Sequence, residues 1–137
     1  MKLLQLLLFA ISVLLLSSSL NAQILIGMNE DEIVEYMEEN HPDFNLNTGF
    51  GATETTVKFI DTVKDRTMIF FLDDNKICKY SKLILDIEEY DKTIAALDKS
   101  YESAGEMKWE VSKEEGKYFL SIEKTDWMFS IVTQKAD

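Results

Sequence analysis

Residues 85–101 constrain the fold more than any other part of this sequence. Their large apolar side chains recur three, four, three and four positions apart, which is typical of one stripe of an α-helix. These side chains are Ile87, Tyr90, Ile94, Leu97 and Tyr101. Asp86 stands where a capping residue is expected, and Glu89 completes a capping box. The stretch therefore predicts an amphipathic helix whose apolar stripe must be covered by the rest of the chain.

A second helix is predicted near the start of the chain. Asn29 is a good capping residue, and Glu32 stands three positions further on. Acidic residues crowd the first turn, where the helix dipole favours negative charge. Pro42 cannot continue a helix and disfavours helical geometry at the residue before it, so we expect this helix to end near Asn40.

Each predicted helix is followed by three short runs with strand character. The first group comprises residues 55–61, 67–72 and 76–85, and the second comprises residues 106–112, 117–123 and 126–133. Most of the breaks between them have the length or the chemistry of hairpin turns. We expect residues 43–53 to form a loop and residues 103–105 to end the second helix. The order α-βββ-α-βββ predicts an α+β fold, with an antiparallel sheet and two helices packed on one face.

The two similar helix starts allow a duplicated architecture, but the side chains beyond the caps differ. We interpret them as two helices that share start signals rather than as a sequence repeat.

The first 22 residues have the three-part pattern of a secretory signal peptide. Lys2 gives a short basic start, residues 3–16 are mostly apolar, and a stretch of small residues ends at Ala22. The apolar run is shorter than the roughly 20 residues of a membrane span, although an uncleaved anchor remains the alternative. We expect residues 1–22 to be removed and residues 23–137 to form one domain in the periplasm or the medium.

The charge of the chain excludes some classes of partner. The net charge is −11, and it becomes −12 without the leader, which carries Lys2 and no carboxylate. Such a surface repels nucleic-acid backbones and anionic lipid headgroups. We therefore expect no nucleic-acid partner, and no membrane span after cleavage of the leader.

The inventory of reactive side chains does not favour an enzyme. His41 is the single histidine. It precedes a proline, and we expect it to cap a helix end. Cys78 is the single cysteine. One cysteine excludes a disulfide within the chain, and its apolar neighbours favour a buried thiol over a link between two copies. Since nucleophile, metal and phosphate motifs are absent from the sequence, we predict a non-catalytic protein without cofactor or metal. A hydrolase that uses His41 or carboxylates is the weakest alternative.

A sheet with one solvated face should show a clean alternation of apolar and polar residues along each strand. The predicted strands carry apolar residues at many of the positions that should be polar. If one set of side chains faces the helices, a second apolar set faces outward. We predict an interaction surface or a dimer interface on this second set, and the alternative is a scatter of unrelated surface residues. The candidate residues are Ile60, Ile69, Phe71, Phe119 and Met128, together with Phe50 in the loop.

A different hypothesis is a small-ligand carrier. It places a pocket between helix and sheet, lined by Tyr90, Trp109 and Trp127.

The start of the first predicted helix resembles a known opening motif. Residues 27–33 read Gly-Met-Asn-Glu-Asp-Glu-Ile, which is similar to the Gly-Met-[Ser/Thr]-x-x-Glu-Val opening of two kinds of small exported α+β domain. These are the SmpA/OmlA-type outer-membrane assembly lipoproteins and the β-lactamase-inhibitor-protein-like domains. This chain has no lipid-attachment cysteine, and Asn29 replaces the hydroxyl residue. The resemblance implies a non-catalytic envelope protein that binds another protein.

Overall fold

Eight antiparallel strands form one sheet in the computed structural model, which describes residues 24–49 and 55–136. In chain order the elements are α1 (Glu30–Asn40), β1 (Asn45–Asn47), β2 (Thr56–Asp61), β3 (Arg66–Leu72), β4 (Cys78–Asp86), a 3-10 turn (Ile87–Glu89), α2 (Tyr90–Ser100), β5 (Glu102–Gly105), β6 (Lys108–Lys113), β7 (Gly116–Lys124) and β8 (Met128–Lys135). The strands lie in the order β1-β2-β3-β4-β8-β7-β6-β5. Each half of the described chain is therefore a helix followed by four strands, and the halves meet at the β4–β8 pair.

The predicted α-βββ-α-βββ fold is wrong, because the molecule is dominated by a single eight-stranded sheet with two short helices. The two strands that the sequence did not predict, β1 and β5, lie at opposite edges of the sheet. β1 has the sequence Asn-Leu-Asn, and β5 has the sequence Glu-Ser-Ala-Gly with every residue exposed. Neither has strand-forming composition, so their pairing depends on the backbone groups that β2 and β6 present to them.

The helix boundaries follow the predicted caps only in part. The Asn29 side chain accepts a hydrogen bond of 2.9 Å from the Glu32 N–H, and α1 ends at Asn40, which confirms that prediction. Asp86 also caps as expected, but it caps the 3-10 turn rather than an α-helix. α2 begins only at Tyr90 and ends at Ser100, so residues 103–105 continue as an edge strand instead of ending the helix.

Both helices cover the same face of the sheet, which we call the covered face. The first core joins Ile33 and Met37 of α1 to strands of the first half, and the second joins Leu97 of α2 to strands of the second half. Leu83 of β4 packs against both cores, as does Ile26 of the segment that precedes α1. The covered face is therefore one continuous apolar layer that spans both halves.

Candidate functional site

The sheet face opposite the helices, which we call the open face, is made of the alternate residues of the same strands. Residues that lie directly opposite each other in an antiparallel sheet share a face, so the register defines three rows across the six central strands. The rows are Thr56, Phe71, Tyr80, Gln134, Phe119 and Glu110; Lys58, Ile69, Lys82, Val132, Ser121 and Lys108; and Ile60, Thr67, Ile84, Ser130 and Glu123.

The open face carries a group of apolar side chains around Lys82, which lies near its centre between Ile69 and Val132, and no helix among the described residues packs on it. Its side chains are mostly half-buried, and none of them belongs to either core. Phe71 stacks on Tyr80, with ring centroids 4.3 Å apart and planes inclined by 10°. Val132 of β8, in the next row, is only 8% exposed. The apolar side chains of this face therefore shield one another instead of packing under a helix.

Four lysines give the open face its charge. Lys82 forms an ion pair of 3.1 Å with Glu123, and Lys117 forms one of 3.0 Å with Glu110. Lys108 lies over the Phe119 ring, with its ammonium nitrogen 4.0 Å from the ring centroid. Neither Lys58 nor Lys108 has an ion-pair partner among the residues that the structure describes.

The structure brings five of the six candidate residues together. Ile60, Ile69, Phe71 and Phe119 are half-buried on the open face. Met128 lies just beyond the third row and is 46% exposed. Phe50 falls outside the described residues.

The sequence reasoning missed two members of this face, Tyr80 and Ile84. They belong to β4, where residues 83–85 are all apolar, so the alternation of side chains does not separate the two faces. The pairing of β4 with β3 and β8 is what assigns Tyr80 and Ile84 to the open face.

The three residues predicted to line a ligand pocket between the second helix and the sheet lie in different surroundings. Trp109 is buried in the second core, and its indole N–H donates a hydrogen bond of 2.9 Å to Asp98 of α2. Tyr90 packs edge-on against Phe129 at 5.3 Å between ring centroids. Trp127 is 81% exposed, next to the β7–β8 turn, so it does not line a pocket together with Trp109.

A pocket of about 170 Å³ exists instead at the end of α1, on the covered face. Its apolar lining comprises Met37, Pro42, Phe44, Met68 and Leu83. Its polar lining comprises Asn40, His41, Asp43, Lys64 and Arg66. The pocket therefore combines an apolar floor with several polar and charged groups, as small-molecule sites commonly do.

Arg66 is held in place by a buried carboxylate. Its Nη2 donates a hydrogen bond of 2.7 Å to Asp61, whose side chain is only 1% exposed. The other oxygen of Asp61 accepts the backbone N–H groups of Val63 and Lys64 at 3.0 and 3.1 Å. The Arg66 hydrogen bond lowers the pKa of Asp61, with a further contribution from the two backbone N–H groups. This carboxylate therefore stays ionised and orients the guanidinium.

His41 is at the end of α1, where its backbone N–H donates a hydrogen bond of 2.8 Å to the Met37 carbonyl. Its ring lies between Tyr36 and Phe44, with centroids 6.1 and 6.5 Å away. Burial lowers the pKa of His41, and the nearby positive charge of Arg66 lowers it further. The imidazole is therefore neutral at pH 7.

Cys78 is buried at the start of β4, as the sequence predicted. Burial raises the pKa of its thiol to about 12, so the thiolate population that a nucleophile requires is negligible at neutral pH. Within residues 24–49 and 55–136, no group of three or more His, Cys, Asp and Glu side chains is arranged to hold a metal ion.

The described helices are too short or too polar to cross a membrane. Comparison with protein-family models, with curated proteins and with solved structures found no match. The open face and the pocket are therefore the features that indicate a function.

Proposed function

We propose that this protein is an exported, non-catalytic binding module of the bacterial envelope, and that it binds a partner protein on the open face. The leader pattern supports export. The observation that carries the proposal is an apolar face in a strongly acidic protein, on which no helix packs within residues 24–49 and 55–136, with Lys58 and Lys108 at its borders and without ion-pair partners in the same ranges.

An apolar sheet face without a helix over it is unusual, because an antiparallel sheet with one solvated face normally places polar side chains there. The centre of this face instead presents Ile69, Phe71, Tyr80, Ile84 and Val132. A contiguous apolar patch surrounded by polar residues is typical of protein-binding surfaces. The aromatic residues Phe71 and Tyr80 are of the type that contributes most to binding energy in such interfaces.

The charges on the open face indicate what its partner presents. Lys58 and Lys108 belong to the same row but lie on β2 and β6, five strand spacings or roughly 24 Å apart. The partner surface that fits is apolar at its centre and carries carboxylates opposite the two lysines. Such complementarity contributes to partner choice more than to raw affinity.

The helix α1, on the other side of the molecule, is strongly acidic. All six carboxylates of α1 are exposed, and the helix packs its apolar residues on the covered face. A second copy of the chain would carry the same large negative charge, which opposes the association of two copies. A distinct protein therefore fits the open face better than a homodimer does.

The experiment is affinity capture from native envelope extract, followed by a binding measurement with the purified partner. Phe71→Asp and Phe119→Asp each place a carboxylate on the open face, and we expect them to abolish binding while the protein stays folded. Lys58→Glu and Lys108→Glu should weaken binding at the borders of the face. Glu35→Lys on α1 is the matched control on the acidic side and should leave binding unchanged.

Three results would overturn the proposal. Unfolding of both aspartate variants would mean that the open face is part of the core. Loss of binding in Glu35→Lys, with the open-face variants unaffected, would move the interface to the helices. A dimer that forms in wild-type protein and is lost in Phe71→Asp would assign the face to a second copy.

A further inference from the structure

We propose that the pocket at the end of α1 binds a small carboxylate that carries a short apolar tail. This site goes beyond the proposed function, because it lies on the covered face and shares no residue with the open face. The tail would lie against Met37, Met68 and Leu83, and the carboxylate would lie at Lys64 and Arg66.

Arg66 is a preorganised cation in this pocket. Asp61 fixes one nitrogen of the guanidinium, and the Phe44 ring lies against the group, with 5.1 Å between the guanidinium carbon and the ring centroid. Its Nε is buried and has no acceptor among the described residues, so the ion pair with Asp61 does not satisfy every donor of the guanidinium. A cation held in one orientation loses little conformational entropy when it binds a carboxylate.

Lys64 supplies a second, uncommitted charge. It belongs to the turn between β2 and β3, its side chain is exposed, and its ammonium group has no ion-pair partner among the described residues. Its backbone N–H is bound to Asp61, so the same buried carboxylate positions the backbone of Lys64 and the side chain of Arg66.

Some acceptors around the pocket are engaged already. The Met37 carbonyl accepts the His41 N–H, the Tyr36 carbonyl accepts the Asn40 side chain, and the His41 carbonyl accepts the Phe44 N–H. Of the last four carbonyls of α1, that of Met37 is the one bound in this way within the described residues, so the negative end of the helix dipole still opposes an anion and the two cations must outweigh it.

One carboxylate lines the pocket and opposes an anionic ligand, and this is Asp43. The charge of Arg66 has the larger effect at the neighbouring His41, where it lowers the pKa more than Asp43 raises it. Removal of the Asp43 charge should improve binding of an anion, which gives the proposal a test in both directions.

The dimensions of the pocket limit the ligand. A volume of about 170 Å³ accommodates a short aliphatic acid and excludes a nucleotide or a lipid with a full-length chain. The pocket is lined both by aliphatic side chains and by two cations. An amphipathic monocarboxylate requires both, because its tail needs apolar contacts and its carboxylate needs a positive partner.

The test is a titration of the purified protein, expressed from the full chain, with sodium hexanoate. Binding is followed by chemical-shift changes of the backbone amides around residues 40–44 and 64–68. Hexanol and hexylamine are the matched neutral and cationic probes. We expect hexanoate to bind in the millimolar range at these amides, and hexanol and hexylamine to bind more weakly.

Two surface variants sharpen the result without touching the core. Lys64→Gln should weaken hexanoate binding about two- to fivefold, and Asp43→Asn should strengthen it by a similar factor. Lys113→Gln, which changes an exposed lysine at the end of the distant strand β6, is the control and should have no effect. Each variant is checked for an unchanged amide spectrum outside the pocket.

The proposal is overturned if hexanoate at tens of millimolar leaves these amides unmoved, or if hexanol binds as well as hexanoate. It is also overturned if Lys64→Gln and Asp43→Asn leave affinity unchanged. The open-face variant Phe119→Asp should retain hexanoate binding, so failure of the partner interaction and failure of the pocket are separate results.

Discussion

The two faces of the sheet are built from neighbouring residues with similar chemistry, yet they have different roles. Phe70 and Phe71 are adjacent in β3 and point to opposite faces. Phe70 is 0% exposed and packs edge-on against Phe59 under α1. Phe71 stacks on Tyr80 across the strands and is half-buried on the open face. The difference shows that the position of the helices, and not the residue type, decides which face becomes the core.

The largest effect that distinguishes the two faces is expected in β8. Phe129 is 1% exposed on the covered face, and its replacement by alanine should cost about 3–5 kcal/mol of unfolding free energy. Its neighbour Met128 is 46% exposed at the end of the open face, and its replacement should cost less than about 1 kcal/mol. Urea unfolding measures both. Equal losses would contradict the distinction between the faces.

The buried ion pair on the covered face is expected to have the next largest effect. Asp61→Asn leaves the Arg66 guanidinium without its counter-charge, and should cost about 2–3 kcal/mol at pH 7, since Arg66 retains some contact with water. Urea unfolding provides the measurement. A cost below about 0.5 kcal/mol would mean that Asp61 does not hold Arg66.

The same pair predicts a pH dependence. The pKa of Asp61 is lowered in the folded protein, so its contribution to stability is fully present above the unfolded value of about 3.9 and is lost as the pH falls through the folded value. Wild-type protein should therefore lose more stability between pH 4 and pH 2 than Asp61→Asn does. Parallel stability curves for the two proteins over this range would disprove the assignment.

The two tryptophans provide a smaller contrast. Trp109→Phe removes the indole N–H that binds Asp98 but keeps a large ring in the second core, so it should cost about 1 kcal/mol. Trp127→Phe changes an exposed ring beside a turn and should cost close to nothing. Thermal unfolding in parallel measures both, and a greater loss from Trp127→Phe would contradict the packing described for the second half.

The smallest effect is expected at the ion pair on the open face. Lys82 and Glu123 are both solvent-accessible, with side chains 29% and 60% exposed. Lys82→Gln should therefore change stability by less than about 0.5 kcal/mol. A loss of several kcal/mol in urea unfolding would indicate that the open face is more deeply buried than described.

Much of the sheet could be predicted from the sequence, because the longer strands have a clear alternation of side chains. β2 and β6 to β8 fall within a few residues of the predicted runs. The edge strands β1 and β5 could not be predicted, since their residues have no strand-forming composition and pair only because a neighbouring strand presents free backbone groups. The 3-10 turn was not predicted because an aspartate such as Asp86 can cap the start of a 3-10 helix as well as that of an α-helix.

The outward-facing apolar set could also be predicted, since Ile69, Phe71 and Phe119 lie at alternate positions to the core residues. The pocket could not, because its residues come from α1, the following loop, the β2–β3 turn, β3 and β4. His41 is more than twenty residues before Lys64 and Arg66, and no periodic pattern in the sequence connects the three. Their proximity depends on the packing of α1 over β3.

The most direct test of the account is to place one aspartate at each of two adjacent positions in β3 and to measure urea unfolding of both proteins. We predict that Phe71→Asp folds cooperatively with a midpoint near that of the wild type, because its carboxylate points to solvent on the open face. Phe70→Asp should fail to fold, since it buries an unpaired charge beneath α1. If neither variant folds, or if both fold equally well, the claim that the sheet has one covered face and one face free for binding is wrong.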